Sequence, residues 1–376
     1  MARSLRACEN ITLAAELSVP RPSHENNFGL LRLTFAMLVI VSHSIELVDG
    51  NRSREPLTQL FGTLSSGELG VDGFFLVSGY LITQSYERSS SIASYLWKRF
   101  LRIYPAFIVA SAISVLIVAP LSGVYLTDIA AKEWAKSIFR IAALQPASLP
   151  GTFPDQHYHE LNGSMWTIAY EFRCYLAVIV LGMIGLLNRP FSFLAILIAF
   201  LIGVSLLELD LFHLPYLRLE LIYGTPKAAI RLTSFFLAGA AFYLFRDRIV
   251  FRNWIAAAVG ATLCGLLFIR YLADPALAIF GGYLVFWFAF LPNTQRLNLV
   301  NSKTDISYGA YLYAWPIQNL VIRYDHDTSP WLVMIITIVG SCVLAYLSWI
   351  FIEKPSLDLK QARTDDSSRR PSFRYR

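Results

Sequence analysis

The chain of 376 residues has little charge, because Asp, Glu, Lys and Arg together make up only 15% of it. A typical soluble domain has roughly a quarter. Hydrophobic residues make up 55% of the chain, so a soluble fold would have too few polar side chains to cover its surface. The composition excludes a soluble enzyme, a disordered protein and a small secreted disulfide scaffold, and it indicates an integral membrane protein.

The sequence also lacks the patterns that assign a metal, a nucleotide or a disulfide framework. It contains no CxxC, GxxxxGK[ST], HExxH or GxGxxG pattern, which removes the usual signatures of ATP-driven transport and zinc proteolysis. His157 and His159 form an HxH pair without further ligand spacing, which favours residues of a surface loop. We therefore expect no metal site, no disulfide and no nucleic-acid partner.

Long apolar runs are abundant. A helix that spans a bilayer needs about 20 mostly apolar residues, since its backbone polar groups must bond to each other in hydrocarbon. We therefore predict an all-α fold, a polytopic membrane bundle of about ten transmembrane helices. The predicted spans lie near 28–47, 66–86, 103–122, 165–187, 190–208, 229–245, 253–270, 274–292, 306–323 and 331–352.

The distribution of basic residues predicts the orientation of the bundle. If the N-terminus is cytoplasmic, the inner segments hold most of the Lys and Arg, as the positive-inside rule requires. Both termini are then cytoplasmic, with an N-terminal segment at 1–27, a membrane domain at 28–356 and a disordered tail at 357–376. The external connection near 123–164 is too short for a separate enzyme domain, so any chemistry belongs to the bundle.

The first span carries two ionisable residues, Arg32 and His43. Eleven helical positions bring them to nearly the same face, about 16.5 Å apart along the axis. This places Arg32 near the cytoplasm and His43 in the outer half, with Glu46 as a neighbour of His43 on that face. Charged side chains in spans usually face the bundle interior and serve a function. The alternative is that His43 only makes an interhelical hydrogen bond.

Two carboxylates are predicted at a depth similar to that of His43. Asp72 falls in the outer third of the second span, and Glu171 falls about two turns below the outer surface in the fourth. An imidazole and two carboxylates at one level can form a proton-transfer site. The alternatives are that Asp72 caps a helix start and that Glu171 pairs with a charge on another span.

A basic cluster precedes the third span. Lys98, Arg99 and Arg102 lie within five residues, and Pro105 suits the first turn of a helix. With Arg32 they form four cations at the cytoplasmic side, which predicts a phosphate site. The alternative is that these residues only anchor a helix at the membrane surface.

Six blocks in the chain resemble the membrane acyltransferase-3 family, the integral-membrane O-acyltransferases of bacteria. Besides the Arg32 and His43 pair, the blocks are GVDGFFLVSGYLI (70–82), KRFLRIYP (98–105), NGSMWTIAYEF (162–172), DISYGAYLYAWPIQ (305–318) and FIEKPS (351–356). They follow the family order and cover about 28–356. Ala314 departs from the pattern, since some relatives have His there. The chain also resembles the members without a C-terminal hydrolase-like domain.

The resemblance implies an acyltransferase in the bacterial inner membrane. Acyl-CoA, in most cases acetyl-CoA, would be the donor at the inner face, and a hydroxyl of a polysaccharide or glycolipid would be the acceptor at the outer face. Arg32 and His43 match the essential residues, and Glu171 matches another functional block. The segment with Lys98, Arg99, Arg102 and Tyr104 matches the proposed donor site.

These expectations combine into a mechanism in which His43 is either the general base or a nucleophile. Asp72, Glu171 or Glu46 would fix its tautomer, and the cations would hold the phosphates of the donor. The competing hypothesis is a transporter or flippase for a glycan-related substrate. The absence of a visible repeat is evidence against a transporter, whereas Pro316, which is predicted to interrupt the ninth span, favours one.

Overall fold

The structure is a computed structural model that describes residues 26–211, 225–292 and 294–359. Within these residues it is all-helical, which confirms the predicted polytopic helical bundle. Of the predicted disordered tail at 357–376, residues 357–359 are helical and residues 360–376 lie outside the described residues, as does nearly all of the N-terminal segment.

Ten helices of the described chain overlap the ten predicted spans, and an eleventh lies in the external connection. They are α1 (Phe28–Asp49), α2 (Ser66–Glu87), α3 (Ile92–Leu121), α4 (Ala131–Ala142), α5 (Gly163–Met183), α6 (Pro190–Glu208), α7 (Pro226–Leu244), α8 (Asn253–Leu266), α9 (Arg270–Ala289), α10 (Ser307–Tyr324) and α11 (Pro330–Leu359). Short helices at Pro56–Phe61 and Gln295–Asn298 join longer ones. Seven helices of the described chain are long and apolar enough to cross a membrane, whereas α2, α4, α8 and α10 fall outside that set.

Two predictions about proline positions are wrong. The third span was expected to start near 103, with Pro105 in its first turn, but α3 begins at Ile92 after an N-cap in which Ser91 accepts a hydrogen bond from the Ser94 amide. Pro105 therefore lies inside α3. Likewise α10 continues past Pro316 to Tyr324. Proline removes one backbone donor, which the surroundings of a membrane helix can tolerate.

Helices α2 and α7 pack against each other through glycines. A Cβ atom at Gly79 would overlap the backbone carbonyl of Phe236, and one at Gly239 would overlap that of Leu76. Small residues let two membrane helices approach this closely. The contact holds α2 in the centre of the bundle, between α1 and α7.

The segment between α4 and α5 enters the bundle at the end that bears His43, which we call the outer side after the predicted orientation. The Asn162 side chain donates to the Leu312 carbonyl at 2.7 Å, and the Ser164 hydroxyl donates to the Tyr311 carbonyl at 3.2 Å. Both carbonyls belong to the first two turns of α10. Helix α5 consequently starts well below the outer ends of α1 and α2, and its residues lie deeper than a span starting at the surface would place them.

Candidate functional site

One carboxylate joins two of the predicted cations. A single oxygen of Asp305, Oδ2, accepts hydrogen bonds from Arg32 on α1 and, at 2.6 Å, from Arg102 on α3. Its other oxygen accepts from the Asn301 amide at 3.0 Å and from the Ser307 hydroxyl at 2.6 Å. Asp305 therefore ties α1 and α3 to the start of α10.

The charges around Asp305 determine its protonation state. Burial alone would raise its pKa, but the guanidinium groups of Arg32 and Arg102 outweigh burial and hold that pKa well below its usual range. Arg102 also lies 3.5 Å from Glu353 on α11. Sequence reasoning quoted the block that contains Asp305 but did not assign the residue. The sequence does contain a signal for this residue. Asp305 lies immediately before a predicted span, and arginines inside other spans need an acidic partner.

The other two predicted cations have different surroundings. Lys98 donates to the Ser89 hydroxyl and Arg99 to the Ser85 hydroxyl, both at 3.2 Å. Arg99 also lies over the ring of Tyr175. No carboxylate of the described chain forms an ion pair with either cation, and Arg99 Nε is buried without a hydrogen-bond partner there. The four cations thus divide into a paired set, Arg32 and Arg102, and an unpaired set.

Tyr104, which the resemblance grouped with these cations, is not brought together with them. Its ring stacks on Phe100, with centroids 4.6 Å apart, and its hydroxyl donates to the Ala142 carbonyl at 3.2 Å. Successive residues of a helix point in different directions, so a motif that is continuous in sequence divides between two faces of α3.

A cavity of about 110 Å³ lies beside the cations. Arg32, Arg99 and Arg102 line it. Because Arg102 is ten residues into α3, the cavity lies about 15 Å from the start of that helix. Apolar and aromatic side chains form the remainder of the wall, among them Phe74, Phe75, Ile103, Tyr308 and Tyr311. The site is thus a recessed chamber with three guanidinium groups in its wall.

Glu171 lines this cavity and not the outer half of the bundle. Its Oε1 accepts hydrogen bonds from the Ser78 hydroxyl and, at 2.7 Å, from the Tyr175 hydroxyl. Glu171 therefore lies at the level of the arginines, which differs from the predicted depth. The reason is the entry of the segment before α5 into the bundle.

Hydrogen bonds close the outer end of the cavity. The Tyr311 hydroxyl donates to the Ser164 carbonyl and lies 2.7 Å from the Thr167 hydroxyl. The ring of Phe74 packs against Tyr311, with centroids 6.1 Å apart. Arg32 and Tyr311 line the cavity, and His43 contacts Trp315, one helical turn beyond Tyr311. The hydrogen-bonded group of Tyr311, Ser164 and Thr167 therefore lies between Arg32 and His43 as a barrier.

His43 belongs to a polar group at the outer side. Its Nδ1 lies 3.0 Å from Glu46 Oε2, which also accepts from Arg52 Nε at 3.0 Å. The second oxygen of Glu46 accepts from the Tyr158 hydroxyl at 3.1 Å. Burial and then the neighbouring Glu46 carboxylate raise the pKa of Tyr158, so its hydroxyl remains a donor. Because a carboxylate only accepts, Nδ1 carries a hydrogen, and Nε2 of neutral His43 is free to act as a base or nucleophile.

Trp315 fixes the ring of His43 from α10. The two rings meet edge to face with centroids 4.9 Å apart, and Trp315 Nε1 donates to the Glu160 carbonyl at 3.1 Å. Trp315 is one helical turn, about 6 Å, farther outward than Tyr311. The His43 site and the barrier consequently share one helix.

Asp72 makes no hydrogen bond or ion pair with His43 among the described residues. It is fully buried and pairs with Arg231 on α7, which also lies 3.4 Å from Asp274 on α9. The predicted grouping of His43, Asp72 and Glu171 is therefore not formed. Glu46, the third candidate for orienting His43, is the carboxylate that contacts the imidazole. The helix cap at the start of α2 is formed by Ser65 with Glu68, not by Asp72.

The histidine pair of the external segment lies at the surface. His157 and His159 are both exposed, and His159 Nδ1 bonds to the Phe153 carbonyl at 2.9 Å. Among the described residues, no group of three or more His, Cys, Asp or Glu side chains is arranged to hold a metal ion.

The chain is similar to one protein family and to two named proteins. The acyltransferase-3 family model, described as an acyltransferase domain, matches residues 25–350. An "O-acetyl transferase" of Shigella phage Sf6 is 30% identical over 347 residues, which are 88% of this chain and 96% of the relative. "Nodulation protein 10" of Rhizobium leguminosarum bv. viciae is 28% identical over 360 residues, 90% and 94% of the two chains. No solved structure matches the chain significantly.

Proposed function

The chain belongs to the acyltransferase-3 family and is a multi-pass membrane O-acyltransferase, and we propose that it carries an acetyl group across the bacterial inner membrane. The donor is cytoplasmic acetyl-CoA, and the acceptor is a hydroxyl of a polysaccharide or glycolipid at the outer face. The relative from Shigella phage Sf6, named an O-acetyl transferase, supports the choice of acetyl.

The unpaired cations support a phosphate-bearing donor. CoA carries several phosphates, and a guanidinium group binds phosphate through two parallel hydrogen bonds. The Nε atom of Arg99 is buried and has no hydrogen-bond partner among the described residues. Among the same residues, no carboxylate forms an ion pair with Arg99 or Lys98. These two residues bind the phosphates, whereas Arg32 and Arg102 remain bound to Asp305 and shape the cavity.

The recessed cavity supports entry of the donor's acyl end. Its apolar and aromatic wall suits the pantetheine arm, which is uncharged, and the cavity of about 110 Å³ has to widen to hold that arm. The arm extends from the phosphates at Lys98 and Arg99 toward Tyr311, and the thioester has to pass the barrier at Tyr311 to reach His43. Opening of the hydrogen bonds between Tyr311, Ser164 and Thr167 is therefore part of the reaction cycle.

His43 is the group that transfers the acetyl, and two routes fit its position. As a general base, Nε2 takes the proton of the acceptor hydroxyl while the oxygen attacks the thioester carbonyl; the C–S bond breaks and the CoA thiolate receives that proton. As a nucleophile, Nε2 attacks the thioester carbonyl and the C–S bond breaks, which gives an acetyl-imidazolium and the CoA thiolate. The acceptor hydroxyl then attacks the acetyl group, the C–N bond breaks, and the hydroxyl proton is released to water, from which the thiolate is protonated. Glu46 stabilises the cationic imidazolium in either case.

The observation that carries this proposal is a single helix, α1, with Arg32 at a cation-lined cavity and His43 held by Glu46 beyond a barrier. The experiment is incubation of purified protein with labelled acetyl-CoA and unacetylated surface polysaccharide. Covalent label on the polysaccharide is the expected result. Movement of a glycan without modification would overturn the proposal and would favour a flippase. A barrier between the cavity and the His43 group also suits a flippase.

A further inference from the structure

A second, polar cavity opens at the outer end of the bundle. Its volume is about 370 Å³, within the range of roughly 300–1,000 Å³ that ligand pockets occupy. It lies where α6 ends and where α2, α7 and α9 begin. Its charged lining residues are Glu68, Glu208, Lys227, Arg231, Arg270 and Asp274. No part of the mechanism above uses this outer pocket.

The charges of the outer pocket are matched within the protein. Glu208 pairs with Lys227 at 2.6 Å and with Arg270 at 3.0 Å. Arg231 pairs with Asp72 and Asp274, and Glu68 lies 3.7 Å from Arg52. The lining of the pocket itself thus has three carboxylates and three cations, and Arg52 outside the lining is shared between Glu68 and Glu46. A strongly charged ligand would leave one of these charges without its partner, which is costly in a partly buried site.

The outer pocket is connected to the catalytic histidine by direct contacts. Glu68 lines the pocket and contacts Arg52, and Arg52 Nε contacts the same oxygen of Glu46 that holds His43. Three contacts therefore join the wall of the pocket to the imidazole. A ligand in the pocket lies on the outer side of the Tyr311 barrier, as an acceptor must.

We propose that the outer pocket binds uncharged sugar residues of the acceptor and directs one hydroxyl toward His43. This inference rests on the proposed function and adds the place and chemical class of the acceptor. A sugar ring presents hydroxyl groups that both donate and accept, and the pocket offers matching carboxylate oxygens and the N–H groups of Lys227 and Arg270. Hydrogen bonds of hydroxyls to charged groups are stronger than those between neutral groups, so the matched charges favour a polyhydroxylated neutral ligand.

The test fills the outer pocket without altering its charges. Ala228 lines the pocket, and Ala228→Phe places a ring in it. Ala257, which is exposed on α8, gives the matched control Ala257→Phe. The probe is a neutral oligosaccharide released from the unacetylated polysaccharide, with labelled acetyl-CoA as donor. Ala228→Phe should raise the KM for the oligosaccharide about tenfold or more and leave the KM for acetyl-CoA unchanged, and Ala257→Phe should alter neither.

The outcomes separate this inference from the proposed function. If the wild type transfers label and Ala228→Phe leaves the oligosaccharide KM unchanged, the pocket is not the acceptor site although the enzyme assignment stands. If the wild type transfers no label to any glycan, the proposed function itself fails. Thermal stability and acetyl-CoA binding of Ala228→Phe are measured to verify its folding.

A second variant gives an independent result if Ala228→Phe does not fold. Lys227 is half-exposed at the pocket, and Arg270 still pairs with Glu208 without it. Lys227→Gln should raise the oligosaccharide KM severalfold. Saturation-transfer NMR should detect binding of the neutral oligosaccharide to the wild type and weaker binding of one that carries a uronic acid. Tighter binding of the acidic oligosaccharide, or an unchanged KM for Lys227→Gln, would overturn the inference.

Discussion

His43 and Glu46 face each other one helical turn apart on α1, with His43 Nδ1 donating to Glu46 Oε2 at 3.0 Å. The same carboxylate is held by Arg52 and Tyr158, so its position does not depend on His43. A carboxylate that is fixed independently orients the imidazole and determines which nitrogen reacts.

Replacement of His43 by Ala should abolish acetyl transfer while the protein keeps its thermal stability, because Glu46 retains Arg52 and Tyr158 as partners. The measurement is label transfer from acetyl-CoA to polysaccharide, with the melting temperature of purified protein as the control. Loss of folded protein together with activity would assign His43 a structural role.

Glu46→Gln should lower kcat by about 10²–10⁴-fold, since a neutral amide no longer stabilises the imidazolium and can present the wrong hydrogen to Nδ1. Tyr158→Phe removes only one hydrogen bond to the carboxylate and should cost less than about tenfold. The comparison of kcat values for the two variants checks this. Equal losses would indicate that the polar group acts by packing and not through the carboxylate.

Arg99→Gln should weaken binding of acetyl-CoA about tenfold or more with little loss of stability, because Arg99 has no carboxylate partner in the described chain. Arg102→Gln should instead lower the melting temperature, because Asp305 and Glu353 lose a shared cation. Donor affinity measured by calorimetry, together with melting curves, separates the two effects. If Arg99→Gln leaves the affinity for acetyl-CoA unchanged, Arg99 does not bind the donor and only anchors the helix at the membrane surface.

Asp305→Asn should destabilise the protein by about 3–5 kcal/mol, since it leaves Arg32 and Arg102 without their shared carboxylate in a buried site. The folded-state pKa of Asp305 lies below its unfolded value of about 3.9. Its stabilisation is therefore complete above that unfolded pKa and is lost as the pH falls through the folded pKa.

The pH dependence of that variant provides the check. The difference in melting temperature between wild type and Asp305→Asn should be constant from pH 7 to 5 and should shrink below about pH 4. A difference that grows on acidification would have the wrong sign and would exclude a charged Asp305 as its cause.

The helices, their order and the family could be predicted from the sequence, because apolar runs and ordered motifs are local signals. Every predicted span overlaps a helix of the described chain, and the acyltransferase-3 resemblance is confirmed. The eleven-residue spacing of Arg32 and His43 did not predict that the hydrogen-bonded group around Tyr311 separates them, because Tyr311 belongs to another helix.

The depth of Glu171 and the pairing of Asp72 could not be predicted, because both depend on contacts distant in sequence. Glu171 lies deep since Asn162 and Ser164 bond to carbonyls of α10, and hydropathy does not register such an entry. Asp72 pairs with Arg231, and the two residues are separated by 159 positions in the sequence. The start of α3 could not be predicted either, because the basic cluster precedes the apolar run, whereas α3 carries Arg99 and Arg102 within the helix and both line the cavity.

The central claim is that donor and acceptor are used from opposite sides of the membrane. Proteoliposomes with acceptor polysaccharide sealed inside and labelled acetyl-CoA supplied outside test it, using vesicles in which the end that bears Lys98 faces outward. The account predicts label on the enclosed polysaccharide and none when His43 is replaced by Ala. Transfer that occurs only when donor and acceptor share one compartment would contradict it.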